Sequence, residues 1–326
     1  MRKLDILIPQ YNEYECDIEP LLNSIAIQQN IDFNEIGVLI CNDGSDIILG
    51  DDFLKKYPFN IQYFKEIHNG VSATRNFLLD KSDAEYVMFC DADDMFYNAC
   101  GLWILFREID NGEFDTLLSV FIEESRNFDG NVMYVNHEVD TTFVHGKVHR
   151  KQYLIDNNIR FNDSLTIHED SYFTILTQNC TESNRIKFCP TPFYLWRWRD
   201  NSVCRHDPKY ILKTYTNMID SNDMLIEEFI RRDKKETANM YVGMMIFDTY
   251  YAFNKADWVN QENKEYRDKT EKHFSEYYKK RKEMWKELSN VEKMQLSNAI
   301  RQRSINEGMM MENITLDDWL NKIENL

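Results

Sequence analysis

The chain has 326 residues, of which 43% are hydrophobic and 29% are charged, so it can bury a core and is not intrinsically disordered. Asp and Glu number 55 against 38 Lys and Arg, which gives a formal net charge of −17. A broad basic face for nucleic acid is not expected, because the acidic surface repels a phosphate backbone. At about 100–200 residues per domain, the length predicts two domains or one large domain with an extension.

No apolar run approaches the roughly 18 residues that a membrane span needs. The basic start of the chain is typical of a signal peptide, but Asp5 and Pro9 bound a very short apolar stretch, which we interpret as the first strand of a mature protein. The seven cysteines are odd in number and form no Cys-x-x-Cys pair, which is typical of free thiols in a reducing compartment. We therefore expect a cytoplasmic protein, with peripheral contact at the inner face of the membrane as an alternative.

Strand and helix patterns alternate over the first hundred residues. Apolar runs predict strands at residues 4–9, 36–41, 61–64 and 86–90, and helical spacing predicts helices at 18–28 and 71–79. Continuously apolar strands that alternate with helices predict an α/β fold with a mostly parallel sheet flanked by helices. Ligands of such sheets bind beyond the carboxyl ends of the strands, so the polar segments after each strand form the candidate site.

The chain changes character near residue 207. All six prolines lie at or before Pro208, and only two of the ten glycines lie after it. The loss of these residues indicates a switch from strands and turns to helices, and Asp207-Pro208 is a typical helix start. Helical spacing then predicts a mainly α-helical C-terminal region, with helices at 210–230, 238–253 and 266–288 and a last helix that starts at Thr315.

An acidic cluster of Asp91, Asp93 and Asp94 directly follows the fourth predicted strand. Three carboxylates so close together repel one another unless a cation lies among them. Carboxylate oxygens with open coordination positions suit Mg²⁺ or Mn²⁺, which retain waters and bind substrate phosphates. A solvated acidic turn is the alternative, and the cluster alone does not decide between the two.

The segment from Asn69 to Asn76 supplies the complementary charge. Gly70 lets a ligand approach the backbone closely, the helix N-terminus after it attracts anions, and Arg75 offers a planar fork for phosphate oxygens. An ordinary capped helix with a surface arginine is the alternative. Two turn residues are suited to a nucleoside, since Asp43 can accept a hydrogen bond and Tyr11 can stack on a base, although both also fit simple turn chemistry.

Taken together, the segments after the four strands resemble the nucleotide-binding half of family 2 glycosyltransferases with the GT-A fold. They are Pro9-Gln10-Tyr11-Asn12, Asn42-Asp43-Gly44-Ser45, Asn69-Gly70-Val71-Ser72-Ala73-Thr74-Arg75-Asn76 and Asp91-Ala92-Asp93-Asp94. The resemblance continues to about residue 206 through segments 147–161, 168–170 and 196–202. Gln10, Asn42 and Thr74 depart from the family pattern.

The resemblance implies metal-dependent, inverting transfer of a sugar from a nucleotide-sugar, usually a UDP-sugar, to an acceptor hydroxyl. Synthesis of a surface polysaccharide or glycoconjugate is the commonest use in the family. It also implies a catalytic domain at 1–207, with a nucleotide-sugar-binding half at 1–100 and an acceptor-side half at 101–207, followed by the helical domain 208–326. A protein or small-molecule acceptor, and a non-catalytic nucleotide-sugar-binding module, are the alternatives.

The family's roles fall on particular residues of this chain. By resemblance, Asp170 is the catalytic base, Asp93 holds Mn²⁺ or Mg²⁺ at the diphosphate, and Arg75 contacts the base or the diphosphate. The implied nucleotide-sugar-binding residues are Pro9, Tyr11, Asn12, Asp43, Gly70, Arg75, Asp91, Arg197, Arg199 and Ser202. His206 is a weaker candidate for a third metal ligand.

Two features of the C-terminal region have two interpretations each. Residues 272–288 interleave aromatic and basic side chains, which fits a helix with its aromatics in the core or a helix on an anionic membrane surface. Met309, Met310 and Met311 are suited to packing on another helix or on a second subunit of an oligomer.

Overall fold

The computed structural model describes residues 2–127, 129–138, 140–200, 209–255, 258, 260–306 and 314–326. The chain forms two compact units, Met1–Asp200 and Asn201–Leu326. The predicted boundary at residue 207 lies outside the described residues. Each unit is built from different elements and is described by itself.

Four parallel strands form one half of the sheet in the first unit. They are β1 (Leu4–Gln10), β2 (Ile36–Asp43), β3 (Asn60–Glu66) and β4 (Tyr86–Phe89). They lie in the order β3-β2-β1-β4, and Ile6 of β1 is paired with Val38 on one side and Met88 on the other. Nearly every residue of β1, β2 and β4 is buried, which explains why these strands are continuously apolar. The predicted α/β fold is confirmed.

The other half of the sheet is mixed, whereas the sequence predicted a mostly parallel sheet. It contains β5 (Met95–Phe96), β6 (Thr116–Arg126), β7 (Val132–His137), β8 (Lys147–Arg150) and β9 (Ile186–Trp196). Strand β8 joins the halves by pairing antiparallel to both β4 and β6, while β9 runs parallel to β6. Strands that alternate regularly with helices pair in parallel, and this alternation does not continue beyond β4. Strands β6 and β7, for example, follow each other directly and form an antiparallel hairpin.

Helices cover the sheet of the first unit. They are α1 (Glu15–Ala26), α2 (Asp51–Leu54), α3 (Val71–Lys81), α4 (Gly101–Asp110), α5 (Lys151–Asp156) and α6 (Glu169–Cys180). Helix α1 buries Ile18, Leu21, Leu22 and Ile25, whose spacing of three and four residues gives it one apolar face. Helices α3 and α6 begin at the carboxyl edge of the sheet, and this position places their first turns in the candidate site.

The second unit is helical in its described residues. Its helices are α7 (Tyr210–Arg231), α8 (Lys235–Ala252), α9 (Lys264–Glu287), α10 (Asn290–Asn306) and α11 (Leu316–Glu324). Four were predicted, and the Thr315 side chain caps α11 by accepting the Asp318 amide, as the sequence indicated. Helix α10 was missed because it buries only Leu296, Ile300 and Ser304, too few apolar positions to give a clear period.

The aromatic side chains of α9 belong to the core of the second unit. Phe274, Tyr277, Tyr278 and Trp285 are all buried. Lysines of the same helix pair with acidic residues instead of forming a continuous basic face, as Lys280 does with Asp223. The core interpretation of residues 272–288 is therefore supported. Among the described helices none combines the length and apolarity needed to cross a membrane, and Met309–Met311 lie outside the described residues.

Candidate active site

The carboxyl ends of β1, β2 and β4 meet at one edge of the sheet because these strands are adjacent and parallel. The loops that follow them carry Tyr11, Asp43 and Asp91. The end of β9 reaches the same place, since Arg199 forms an ion pair with Asp93. The first turn of α6 does so too, through Glu169. The site is thus assembled from segments that are far apart in the chain.

Asp43 organises the loop that precedes α3. Its carboxylate oxygens accept hydrogen bonds from the amides of Asn69 at 2.9 Å and Gly70 at 3.1 Å, and the His68 ring nitrogen Nδ1 lies 2.9 Å from Oδ2. Gly70 has a φ of 88°, a conformation that glycine adopts without a steric penalty. The sequence predicted contact between Asp43 and a base. In the structure both oxygens accept hydrogen bonds from the loop, and contact with a base stays a prediction.

Tyr11 presents an aromatic face at the same edge. It is 47% exposed, and its ring stacks on that of His68 with centroids 4.5 Å apart and planes 19° apart. Asn12 follows with a φ of 69°, a turn conformation that asparagine tolerates better than most residues. Pro9 is the partner of Cys41 in the β1–β2 register and lies just behind this turn. His68 was not singled out from the sequence.

Gln10 and Asn42, two of the residues that depart from the family pattern, hold loops in place. The fully buried Gln10 amide donates to the carbonyls of Glu13 at 2.9 Å and Ile47 at 3.1 Å. The buried Asn42 amide donates to the carbonyls of Ser45 and Ile47, both at 3.0 Å. Buried amides that satisfy several backbone carbonyls fix loop geometry. These residues therefore hold the loops after β1 and β2 and do not face the open site.

Arg75 lies beneath the site and bridges two carboxylates. Its guanidinium donates to Asp91 Oδ1 at 2.8 Å and to Glu169 Oε1 at 2.9 Å, and the residue is only 4% exposed. Its Cζ lies 5.2 Å from the centroid of the Phe161 ring. Burial alone would raise the pKa of Asp91, but the Arg75 charge holds that pKa below its usual value. The sequence predicted direct contact of Arg75 with base or diphosphate; in the structure Arg75 contacts Asp91 and Glu169, and contact with a nucleotide stays a prediction.

Asp93 is partly exposed and pairs with Arg199. The Arg199 Nη1 lies 2.7 Å from Asp93 Oδ2 and 3.6 Å from Glu13 Oε1, and Arg197 donates to the Asp93 carbonyl at 3.1 Å. Burial, followed by the neighbouring Asp91, raises the pKa of Asp93, and burial raises the pKa of Glu13. Glu13 was missed from the sequence, although it directly follows the first motif. Its other oxygen accepts the Tyr11 amide at 2.6 Å and so ties this pair to the loop after β1.

Asp94 is fully buried and has a structural role. The Tyr194 hydroxyl donates to its Oδ2 at 2.5 Å and the Arg197 amide donates to its Oδ1 at 2.9 Å, so it fastens the end of β9 to the acidic loop. Burial raises its pKa well above the usual value. Asp91, Asp94 and the buried His145 offer ligand atoms that all lie within 4.8 Å of one another.

The acidic loop fits a hard divalent cation. Asp91 and Asp93 keep 31% and 24% of their side chains exposed, and their oxygens are the donors that Mg²⁺ and Mn²⁺ prefer. The positive charge of Arg199 already lies against Asp93 and faces Glu13, as a stand-in for such an ion. Asp94 is the least available of the three aspartates, because both of its oxygens already accept hydrogen bonds.

Asp170 lies in the first turn of α6, beside Glu169. The preceding His168 has a φ of 63°, an uncommon conformation for a residue other than glycine. Burial, followed by the charge of Glu169, raises the pKa of Asp170 to about 7, while its Oδ1 accepts the Ser171 amide at 2.7 Å. A carboxylate with a pKa near the working pH is suited to general base catalysis. Ser202 and His206, which were also predicted to contribute, lie outside the described residues.

This geometry defines a glycosyltransferase-type fold with an acidic loop and, beside it, a carboxylate whose pKa is raised. The sequence model of Glycosyl transferase family 2 matches residues 5–171, just over half of the chain. The chain belongs to this family.

Three similar proteins place the chain within the family. It is 22% identical to the poly(ribitol-phosphate) beta-N-acetylglucosaminyltransferase TarS of Staphylococcus aureus over 275 residues, which cover 79% of this chain and 46% of TarS. It is 31% identical to the minor teichoic acid biosynthesis protein GgaB of Bacillus subtilis over 127 residues, 38% of this chain and 12% of GgaB. A teichoic acid poly(glycerol phosphate) polymerase of Staphylococcus epidermidis is 38% identical over 98 residues, 29% of this chain and 13% of the polymerase. The chain spans less than half the length of these curated relatives.

The fold is also that of a solved structure. The crystal structure of S. aureus TarS 1-349 in complex with UDP-GlcNAc superposes with a TM-score of 0.63 and 19% identity, over 92% of each chain. At this identity, the similarity establishes the GT-A-type fold of the chain.

Proposed function

We propose that this protein is a metal-dependent, inverting glycosyltransferase that moves a sugar from a UDP-sugar to a hydroxyl group of a cell-surface glycopolymer. One observation carries the proposal. The acidic loop of Asp91 and Asp93 and the helix turn that carries the perturbed carboxylate Asp170 converge on one edge of the sheet, where Arg75 bonds to Asp91 and to Glu169, the neighbour of Asp170. A nucleotide-diphosphate site and a base on opposite sides of one reacting carbon are what direct displacement requires.

A uridine nucleotide is proposed as the donor because TarS, which has the same fold, has been crystallised with UDP and with UDP-GlcNAc. In this chain the exposed Tyr11 ring offers a stacking face for the base. Asp91, whose Oδ1 accepts from Arg75, is proposed to accept from the ribose with its other oxygen. Arg197 and Arg199 follow β9 at the same edge and supply positive charge for the diphosphate.

Asp93 is the proposed metal ligand, and Glu13 is a neighbouring carboxylate that faces the same Arg199 nitrogen. When bound, Mn²⁺ or Mg²⁺ supplies Lewis-acid stabilisation of the charge that develops on the departing diphosphate. Asp93 and Glu13 would hold the cation beside the loop after β1, because Glu13 also accepts the Tyr11 amide. The arginines after β9 bind the remaining phosphate oxygens and exclude water from this side of the site.

Asp170 is the proposed general base. Its carboxylate takes the proton from the acceptor hydroxyl as the oxygen attacks the anomeric carbon. The new carbon–oxygen bond forms opposite the bond to the diphosphate, which breaks with its electron pair remaining on the leaving group, so the anomeric centre is inverted. Glu169 and the buried environment keep the pKa of Asp170 near 7, high enough for it to accept this proton.

The acceptor is proposed to be a polyol-phosphate glycopolymer. This rests on the names of the relatives, since TarS is a poly(ribitol-phosphate) beta-N-acetylglucosaminyltransferase and GgaB is a minor teichoic acid biosynthesis protein. A protein or small-molecule acceptor is the competing possibility that an acceptor screen decides.

The test is release of the nucleoside diphosphate from a panel of UDP-, GDP- and dTDP-sugars, with Mn²⁺ or with EDTA, in the presence and absence of poly(ribitol phosphate). We expect Mn²⁺-dependent release of UDP that the acceptor stimulates. Asp170→Asn should abolish release while UDP still binds in a calorimetric titration, and Asp156→Asn, an exposed carboxylate of α5, should retain activity. Binding of UDP without turnover by the unaltered protein on any acceptor would favour a non-catalytic binding module.

A further inference from the structure

Glu169 and Asp170 are neighbours in the first turn of α6 but have different surroundings. The Glu169 side chain is only 13% exposed, and its Oε1 accepts a hydrogen bond from Arg75 at 2.9 Å. Asp170 instead accepts the amide of Ser171 with its Oδ1. Glu169 therefore faces α3, and it is the one of the two that bonds to an arginine.

Arg75 extends this contact to the donor side. Its second terminal nitrogen donates to Asp91 Oδ1 at 2.8 Å, and its guanidinium lies over the Phe161 ring. Because Arg75 is 4% exposed, its planar fork is held between fixed partners and does not move freely in solvent. One buried side chain thus ties together α3, α6 and the loop after β4.

We propose that Glu169 and Arg75 are positioning residues, and that the ion-pair chain Glu169–Arg75–Asp91 holds the base Asp170 in a fixed place relative to the donor-binding carboxylate. The inference rests on the proposed function, because it takes Asp170 as the base. Neither Glu169 nor Arg75 needs to touch the reacting atoms. Their contribution is to fix the positions of Asp170 and Asp91. A displacement of a reacting group by about 1 Å lowers the rate severalfold to a hundredfold.

The two positioning residues also act on the base with opposite signs. The charged groups that face Asp170 are Glu169 on its own helix, Arg75 on α3, Asp91 after β4 and Lys147 at the start of β8. Glu169 and Asp91 raise the pKa of Asp170, whereas Arg75 lowers it. Lys147 is buried and already paired with Asp140 at 3.0 Å. Removing the charge of Glu169 should therefore lower the pKa of Asp170, and removing the charge of Arg75 should raise it.

The experiment compares the pH dependence of kcat/KM for Glu169→Gln, Arg75→Gln and Arg75→Lys. The acid limb of each profile is the pH range over which kcat/KM falls as Asp170 takes up a proton. We expect the midpoint of this limb to move down by about 0.5–1 pH unit in Glu169→Gln and up by a similar amount in Arg75→Gln. Arg75→Lys keeps the charge but cannot bridge two carboxylates with one planar fork, so its limb should stay in place while kcat falls about tenfold or more. A merely structural role would not move the two limbs in opposite directions.

Arg185→Gln serves as the matched control. It breaks the ion pair between Arg185 and Asp115, which directly precede β9 and β6, at the end of these strands opposite to Trp196. It should leave the acid limb unchanged. An acid limb of Glu169→Gln that coincides with that of the unaltered enzyme, together with an unchanged kcat in Arg75→Lys, would overturn the inference even if Arg75→Gln does not fold. If Asp170→Asn retains transfer, the proposed base itself is wrong; if Asp170→Asn is inactive and the limbs do not move, only the positioning role fails.

Discussion

Arg199 Nη1 lies 2.7 Å from Asp93 Oδ2, at the point where the acidic loop is proposed to hold a divalent cation. The same nitrogen is 3.6 Å from Glu13 Oε1. A guanidinium in this place neutralises carboxylates that would otherwise repel one another. Under the proposed function, metal and arginine would therefore compete for Asp93, and the diphosphate would give Arg199 another partner.

The first prediction concerns this competition. Arg199→Gln should tighten Mn²⁺ binding in the absence of nucleotide by about two- to fivefold, the effect of removing a half-exposed ion pair worth about 0.5–1 kcal/mol. The same change should weaken binding of UDP, because a cation for the diphosphate is lost. Paramagnetic resonance of free Mn²⁺ and calorimetry of UDP measure the two affinities.

The control for this prediction is Arg160→Gln, which removes another exposed arginine paired with an aspartate, Asp80. It should change neither affinity. Weaker Mn²⁺ binding in Arg199→Gln would mean that the arginine supports the cation site and does not compete with it.

The second prediction is a pH dependence set by Asp170. Because the base must be ionised and its pKa is about 7, kcat/KM should fall about tenfold for each pH unit below 7 and level off above it. A pH series with a pH-independent assay of UDP release measures this. A profile that stays flat between pH 5 and 7 is incompatible with Asp170 as the base.

The third prediction concerns stability. The pKa of Asp170 is raised on folding, so its contribution to stability is present at low pH and is lost as pH rises toward 7. Asp170→Asn should therefore be more stable than the unaltered protein by about 1–2 kcal/mol at pH 8, with little difference near pH 4. Urea unfolding at the two pH values measures the free energies; an equal difference at both pH values would contradict the raised pKa.

The fourth prediction concerns the loop before α3. Asp43→Asn should weaken UDP binding about five- to tenfold, because an amide nitrogen would face the backbone N–H groups that the carboxylate now accepts. Asp46→Asn changes an exposed carboxylate of the neighbouring loop and should not affect binding. Calorimetry with UDP compares the two variants, and equal affinities would show that the loop does not depend on Asp43.

The first half of the sheet could be predicted because its strands are continuously apolar and are separated by amphipathic helices. The order of β5 to β9 could not, since strands as short as Met95–Phe96 leave no period, and antiparallel pairing depends on partners that are distant in sequence. Helix α10 was missed for the related reason that few of its side chains are buried.

Much of the candidate site was also predictable, because its motifs follow strand ends. The sequence does not reveal which polar groups form hydrogen bonds or ion pairs within the protein. Arg75 and Glu169 are 94 residues apart, so nothing local announces their ion pair. Asp43 likewise looks available in the sequence, yet its oxygens are taken up by the amides of Asn69 and Gly70.

The sharing of the acidic loop by a nucleotide diphosphate and a divalent ion is tested most directly by UDP affinity with and without Mn²⁺, in the unaltered protein and in Asp93→Asn. The account predicts that Mn²⁺ tightens UDP binding by about tenfold or more in the unaltered protein and has no such effect in Asp93→Asn, whose transfer rate falls by about two orders of magnitude or more. Equal UDP affinity with and without Mn²⁺ in the unaltered protein would contradict it.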